Sequence, residues 1–292
     1  MQKKNPRIAI LLHGTAGTAD KYGTGSNIDV SISCDHFSKH IKGVNENVDV
    51  FMHSWSEDRK EKLVELYEPK LHYFEPQLIF DFEYAVGSLD GPGGESNVWV
   101  DGKFKGLDNL RFHGLFSRWY SAKAANNLRL VYEKQEGFEY DFVMLTRYDL
   151  AYNVDFDFSN FSKEKFYVIP PLSLHSTGDI RHGMNDLWFV TDSEKMTNFL
   201  EMYEWIKTLK HFPHKYTHSH FLSLYFLAVL GYQEKIDYFG EERPWERGLE
   251  GEMMGPSPLV RHAYKLREFT ADDAMGDERE RIRNVSKKSL RW

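Results

Sequence analysis

Arg7-Ile-Ala-Ile-Leu-Leu12, running into His13-Gly-Thr-Ala-Gly-Thr18, decides the fold class of this chain. An unbroken apolar run closed by a glycine-bearing loop suits a strand covered on both faces, as in a parallel sheet. A strand with one wet face would alternate polar and apolar residues instead. Asp141-Phe-Val-Met-Leu-Thr146 repeats the pattern and ends at Arg147-Tyr-Asp149. Val48-Asp-Val-Phe-Met-His53 reads as a strand between them in chain order, with Ser54-Trp-Ser56 directly behind it.

Helical patterns fill the intervals between these runs. Asp35 to Lys42 reads as a short helix with Asp35 as a cap. Glu57 to Tyr67 reads as a helix that stops before Pro69, because a proline pushes the preceding residue out of helical geometry. Lys70 to Phe74 follows as a strand. Leu110 to Gln135 is the clearest helix: Leu115, Trp119, Ala122, Asn126, Arg129 and Tyr132 recur on one face, and Gly137 ends it. Phe166 to Ile169 and Leu187 to Val190 read as strands, Ser193 to Leu209 and Ser219 to Leu230 as helices, and Tyr232 to Tyr238 as a last strand. Strands alternating with helices over this length imply an α/β/α sandwich around a mixed, mainly parallel sheet. Residues 1–250 form the expected domain. Residues 251–292, dense in mixed charge, read as a tail or extension. The glycine-rich stretch from Gly87 to Gly106 reads as a loop of the length used for lids.

Composition narrows the function classes. Of 292 residues, 37 are Lys or Arg and 44 are Asp or Glu, a net charge of −7. That balance argues against sequence-independent nucleic-acid binding, which works by neutralising phosphates. Cys34 is the single cysteine, so neither an intrachain disulfide nor a cysteine-rich zinc site is expected. The apolar runs Ile8 to Leu12 and Phe221 to Leu230 are too short to span a bilayer. A soluble, cytoplasmic protein is the expectation. Aromatic residues reach 15%, which serves either a core or stacking against sugars and bases.

The polar residues at strand ends carry the chemistry, because ligands of α/β folds bind beyond the carboxyl ends of the strands. Arg147 and Asp149 stand at one such end, where a carboxylate suits a divalent metal and a guanidinium suits phosphate. His13, Gly14 and Thr15 stand at another, where backbone N–H groups near a glycine can approach a base or phosphate. His53 ends a third, shaping a base pocket with Trp55 or packing in the core. Asp186 opens the strand at Leu187, below a polar loop holding His175, Asp179 and His182. Asp186 is the candidate general base, with His182 as the next candidate. Asp155-Phe-Asp157 lies in a surface turn and ranks below Asp149. His211, His214, His218 and His220 read as a solvated histidine cluster rather than a metal pair. No Gly-x-Ser-x-Gly elbow, Walker loop or dinucleotide fingerprint is present.

The order of several pieces resembles bacterial and viral glycosyltransferases of capsule, lipopolysaccharide and surface-glycan synthesis. The pieces are Arg7 to Gly14, Val48 to Trp55, Leu66-Tyr-Glu-Pro-Lys70, Glu75-Pro-Gln77, Phe116-Ser-Arg-Trp-Tyr-Ser121, Tyr140 to Leu150, and Asn185-Asp-Leu-Trp-Phe-Val190. The resemblance implies a GT-A-like fold, with a nucleotide-sugar donor held mainly by residues 1–150 and a glycan acceptor by residues 151–250. It also implies Mn2+ or Mg2+, held in such enzymes by an Asp-x-Asp. Here that place reads Arg147-Tyr-Asp149, with one acid, so Asp149 is the candidate metal ligand or no metal is needed. A catalytically silent glycan- or nucleotide-binding protein on the same scaffold is the alternative.

Overall fold

The computed structural model describes residues 5–16, 30–80, 99–100, 103–104, 107–152, 154–169, 184–209, 219–238 and 259–261. The strands are β1 (Arg7–His13), β2 (Asn47–Ser54), β3 (Leu71–Phe74), β4 (Trp99–Val100), β5 (Lys103–Phe104), β6 (Phe142–Arg147), β7 (Leu150–Tyr152), β8 (Phe166–Ile169), β9 (Asn185–Thr191), β10 (Ile236–Tyr238) and β11 (Leu259–Arg261). The helices are α1 (Val30–His40), α2 (Lys60–Tyr67), α3 (Leu107–Glu136), α4 (Ser193–Leu200), α5 (Met202–Thr208) and α6 (Ser219–Val229).

Seven strands form the main sheet in the order β10-β8-β9-β6-β1-β2-β3. Its pairs are parallel except those of β9, which runs antiparallel to both β6 and β8. The expected α/β fold with a mixed, mainly parallel sheet is therefore the observed one. β1 sits centrally and is buried from Ile8 to His13, which is why its sequence carries no alternation.

The pleat divides the core in two. Ile8, Ile10 and Leu12 face the layer holding Phe37 of α1 and Leu63 and Tyr67 of α2. Ala9 and Leu11 face the other layer, with Phe116 and Trp119 of α3, Phe199 of α4 and Phe226 of α6. Each of the buried Ile and Leu side chains contributes about 1.5–3 kcal/mol by leaving water.

α3 crosses the sheet and is locked at its C-terminal half. Arg129, fully buried, donates to Asn126 Oδ1 at 2.9 Å, Glu133 Oε1 at 2.7 Å and Thr197 Oγ1 at 2.6 Å, and also to Ser193. Glu133 in turn accepts the Tyr140 N–H at 2.9 Å, just before β6. A buried network satisfied on both partners fixes helix, strand and α4 in one arrangement. Gly137, at φ +69°, then ends α3, its N–H donating to the Glu133 carbonyl at 2.9 Å.

Several element boundaries differ from the sequence reading. The first helix begins at Val30, so Asp35 is an exposed mid-helix residue rather than a cap. The helix expected over Ser193 to Leu209 breaks at Glu201 into α4 and α5, and Asp192 caps the first by accepting from the Lys195 N–H. The last strand is shortened to Ile236–Tyr238, because residues 233–235 form a 3-10 turn after Gly231. β7 has no counterpart in the sequence reading. It pairs antiparallel with β11, which comes from the segment read as a tail or extension. No described helix is long and apolar enough to cross a membrane.

Candidate functional site

Strand direction brings the polar strand ends to one edge. β1, β2 and β6 are parallel and end together, and antiparallel β9 begins at the same edge. His13 is in register with Arg147 on the neighbouring strand. Alternation along β1 and β6 puts both on the face covered by α3, since Leu11 and Leu145, two residues earlier, pack in that layer. Arg118 and Ser121, one turn apart on α3, complete the edge from above.

Two ion pairs dominate it. Arg118 donates from Nη1 to Asp186 Oδ2 at 2.7 Å, and from Nη2 to the Asp186 backbone carbonyl. Arg147 grips Asp149 with two bonds, Nε to Oδ1 at 2.8 Å and Nη2 to Oδ2 at 2.5 Å. Burial alone would raise the Asp186 carboxyl, but Arg118, then His220, hold it well below the usual carboxylate range. His220 Nδ1 lies 3.3 Å from Asp186 Oδ1. Burial lowers Arg118 to about 10. Burial acts the same way on Arg147, yet Asp149 more than offsets it and its pKa is raised.

His13 lies among these charges, 2% exposed, and neither of its ring nitrogens has a hydrogen-bond partner among the described residues. Burial first, then Arg118 and Arg147, push its pKa well below the ordinary value, so the ring is neutral at physiological pH. The Arg118 Nε–H is likewise buried without a partner among the described residues.

The neighbouring loop is pinned from behind. Gly14, at φ +97°, donates its N–H to Ser121 Oγ at 2.8 Å, and its carbonyl accepts from Ser54 Oγ at 2.9 Å. That backbone conformation is one that residues with a Cβ adopt at a cost. Ser121 Oγ also meets His53 Nδ1 at 2.7 Å, and His53 Nε2 meets Glu75 Oε1 at 3.0 Å. Because Glu75 accepts only, Nε2 carries the proton and Nδ1 takes the Ser121 hydroxyl hydrogen. Burial lowers the His53 pKa against the opposing pull of Glu75, consistent with a neutral ring. Trp55 is buried, edge-on to His53 at 4.8 Å and stacked on Tyr120 at 5.4 Å.

Of the residues singled out in the sequence, His13, Arg147, Asp149 and Asp186 thus meet at one edge. The Gly14 N–H is taken by Ser121, and half-buried Thr15 lies beside it. Both nitrogens of His53 are occupied, so it braces the loop from underneath. Asp155 pairs with His40 at 2.7 Å, and Asp157 caps the 3-10 turn at residues 158–160, both in structural roles. His182, with His175 and Asp179, lies outside the described residues, as does most of the stretch from Gly87 to Gly106 and three members of the histidine cluster. The fourth, His220, is packed against Asp186. Arg118, Ser121 and Glu75 were missed as site residues. The available signal was an arginine set within the apolar stripe Leu115, Phe116, Trp119 and Ala122, where a charge needs a buried partner.

The donor set does not fit a divalent metal. Both oxygens of Asp149 accept from Arg147, and Asp186 is held by Arg118 and His220. Among the described residues the two acids are balanced by two guanidiniums, which leaves no excess negative charge there to draw a cation from water. Among the described residues no group of three His, Cys, Asp or Glu side chains could hold a metal ion.

No family model matches the chain, and no curated protein matches it. Among solved structures it is similar to the apo form of mouse xyloside xylosyltransferase 1, at 11% identity and a TM-score of 0.37, covering 80% of this chain and 84% of that one. It is also similar to a glycosyltransferase involved in the glycosylation of the major capsid of PBCV-1, at 9% identity and a TM-score of 0.35, covering 80% and 82%.

Proposed function

We propose that this chain is a glycosyltransferase of the surface-glycan type with a GT-A-like fold. It would move a sugar from a nucleotide-sugar donor to a hydroxyl of a glycan acceptor, at the edge lined by His13, Arg118, Arg147 and Asp186. The observation that carries a ligand site is His13: a buried imidazole at a strand's carboxyl end, whose two nitrogens have no partner among the described residues, in the field of two arginines. Leaving a buried polar group unmatched costs roughly 1–3 kcal/mol, which a polar ligand would recover. Sugar transfer as the reaction is supported by the sequence resemblance around these same strand ends.

In this reaction the acceptor oxygen bonds to the anomeric carbon as the bond from that carbon to the diphosphate oxygen breaks. The bonding pair leaves with the diphosphate, and the acceptor hydroxyl gives up its proton to the departing diphosphate oxygen. Arg118 and Arg147 are suited to the charge that develops on the leaving oxygen, because they are fixed before it appears. Asp186, with its proton affinity lowered, suits the holding of Arg118 better than the uptake of that proton. This last observation also favours a second reading, a silent nucleotide- or glycan-binding protein. A thermal-shift screen of nucleotide sugars, followed by turnover of those that stabilise the chain, tests both. Binding with release of nucleoside diphosphate supports transfer, binding without turnover supports the silent protein, and no binding refutes both.

A further inference from the structure

We propose that the site holds the diphosphate of its donor directly on Arg118, Arg147 and His13, with no divalent cation between protein and phosphate. This rests on the nucleotide-sugar reading above and goes further, to how the charge of that ligand is met.

The argument starts from what the acids are doing. In a metal-bridged diphosphate site, carboxylates bind the cation and the cation binds the phosphates. Here both described acids at the edge, Asp149 and Asp186, pair with a guanidinium, Asp149 through two bonds to Arg147 and Asp186 through Arg118. A cation drawn to Asp149 would have to share its oxygens with the Arg147 fork and sit beside two arginines.

An anion meets the opposite situation. A guanidinium has five N–H groups, and each pair uses two of them. The Arg118 Nε–H is buried without an acceptor among the described residues, and the Arg147 side chain is 30% exposed at the sheet edge. His13 adds a ring that is 98% buried by its 2% exposure, offering one donor and one acceptor in its neutral form. Asp149 and Asp186 hold the two arginines in fixed positions without filling them. The elements are also braced against movement. His13 and Arg147 are neighbours in register, and Arg118 rides on a helix locked by Arg129 and Glu133. Such an edge is built to receive phosphate oxygens, and hydrogen bonds from charged donors to phosphate are among the stronger ones.

The test is calorimetric titration of the full chain with inorganic pyrophosphate and with UDP, GDP, CDP and ADP, each in excess EDTA and in excess MnCl2. The expected result is binding of pyrophosphate and at least one nucleotide in EDTA, with MnCl2 changing the affinity by less than roughly threefold. Arg118→Lys keeps the charge but loses the planar fork, and His13→Ala removes the open ring. Each is expected to weaken binding in EDTA by about tenfold or more. Melting curves report whether each variant is folded, and His13→Ala carries the test if Arg118→Lys is not. Binding that appears only with MnCl2 overturns this inference and leaves the nucleotide-sugar reading standing. Wild-type affinity in both folded variants also overturns it. A folded wild-type chain that binds no probe in either condition refutes the nucleotide-sugar reading itself.

Discussion

Asp186→Asn is the perturbation that tests most of the site at once. The substitution keeps the side chain's shape and one acceptor oxygen, and removes the charge facing Arg118 at 2.7 Å. Both side chains are largely buried, at 14% and 6% exposure, so water cannot replace the lost partner. Removing one member of a buried pair costs about 3–5 kcal/mol, because the other charge stays in place uncompensated. The remaining amide oxygen and the bond from Arg118 to the Asp186 carbonyl offset part of this, so about 2–4 kcal/mol is expected at pH 7. For a chain of 292 residues that lowers Tm by about 3–7 °C. The sign with pH follows from the direction of the Asp186 shift. A carboxyl held below its unfolded value of about 3.9 contributes stability above that pH and loses it as pH falls through the folded value. The gap between wild type and variant is therefore expected to be constant from pH 7 to about 5 and to close below about 4. Urea unfolding followed by far-UV circular dichroism at several pH values measures it. Arg118→Met should be at least as costly, while the double variant Arg118→Met with Asp186→Leu should recover much of the loss. A cost below about 0.5 kcal/mol at pH 7, or a gap that does not change with pH, would refute the ion-pair account.

Gly14→Ala should cost about 1–2 kcal/mol through its φ of +97°, since no described atom lies within 4 Å of an added Cβ; a melting curve indistinguishable from wild type would contradict this. Ser121→Ala leaves the Gly14 N–H and His53 Nδ1 without their shared partner, and a loss of about 2–4 kcal/mol in urea unfolding is expected. Asp149→Asn loosens the Arg147 fork, so nucleoside diphosphate affinity should fall by up to about tenfold, by the same factor with EDTA and with MnCl2. A loss seen only with MnCl2 would instead identify Asp149 as a metal ligand.

The central strands were legible in the sequence because burial on both faces leaves an unbroken apolar signature, as at Ile8 to Leu12 and Phe142 to Leu145. The strand-end residues Arg147 and Asp149 followed from that, since a polar group directly after such a run has one edge to occupy; Asp186 stands before its run and reaches the same edge because β9 is antiparallel to β6. Arg118 did not, because its partner Asp186 lies 68 residues away and helical periodicity records a face without recording what meets it. For His53 the sequence leaves a base pocket and core packing both open, for the converse reason. Its position at a strand end is visible in sequence, but its bonds to Ser121 and Glu75 depend on α3 and on the segment after β3. β7 and β11 are three residues each and pair across more than a hundred residues, below the length at which a periodic pattern can declare itself.

α3 behaves as a ruler with two engraved marks. Arg129 is clamped at one mark by Glu133 and Thr197, and Arg118 must reach Asp186 at the other. The marks stand three turns apart, about 16 Å along the axis. Composition between them is open to change wherever packing allows, but length is not. Adding one residue there would swing Arg118 about 100° around the helix and carry it off the strand edge, with every core contact beyond the clamp left as it was. Homologous chains that share this site should therefore vary freely in the loops at either end of the helix and keep the count from 118 to 129 unchanged.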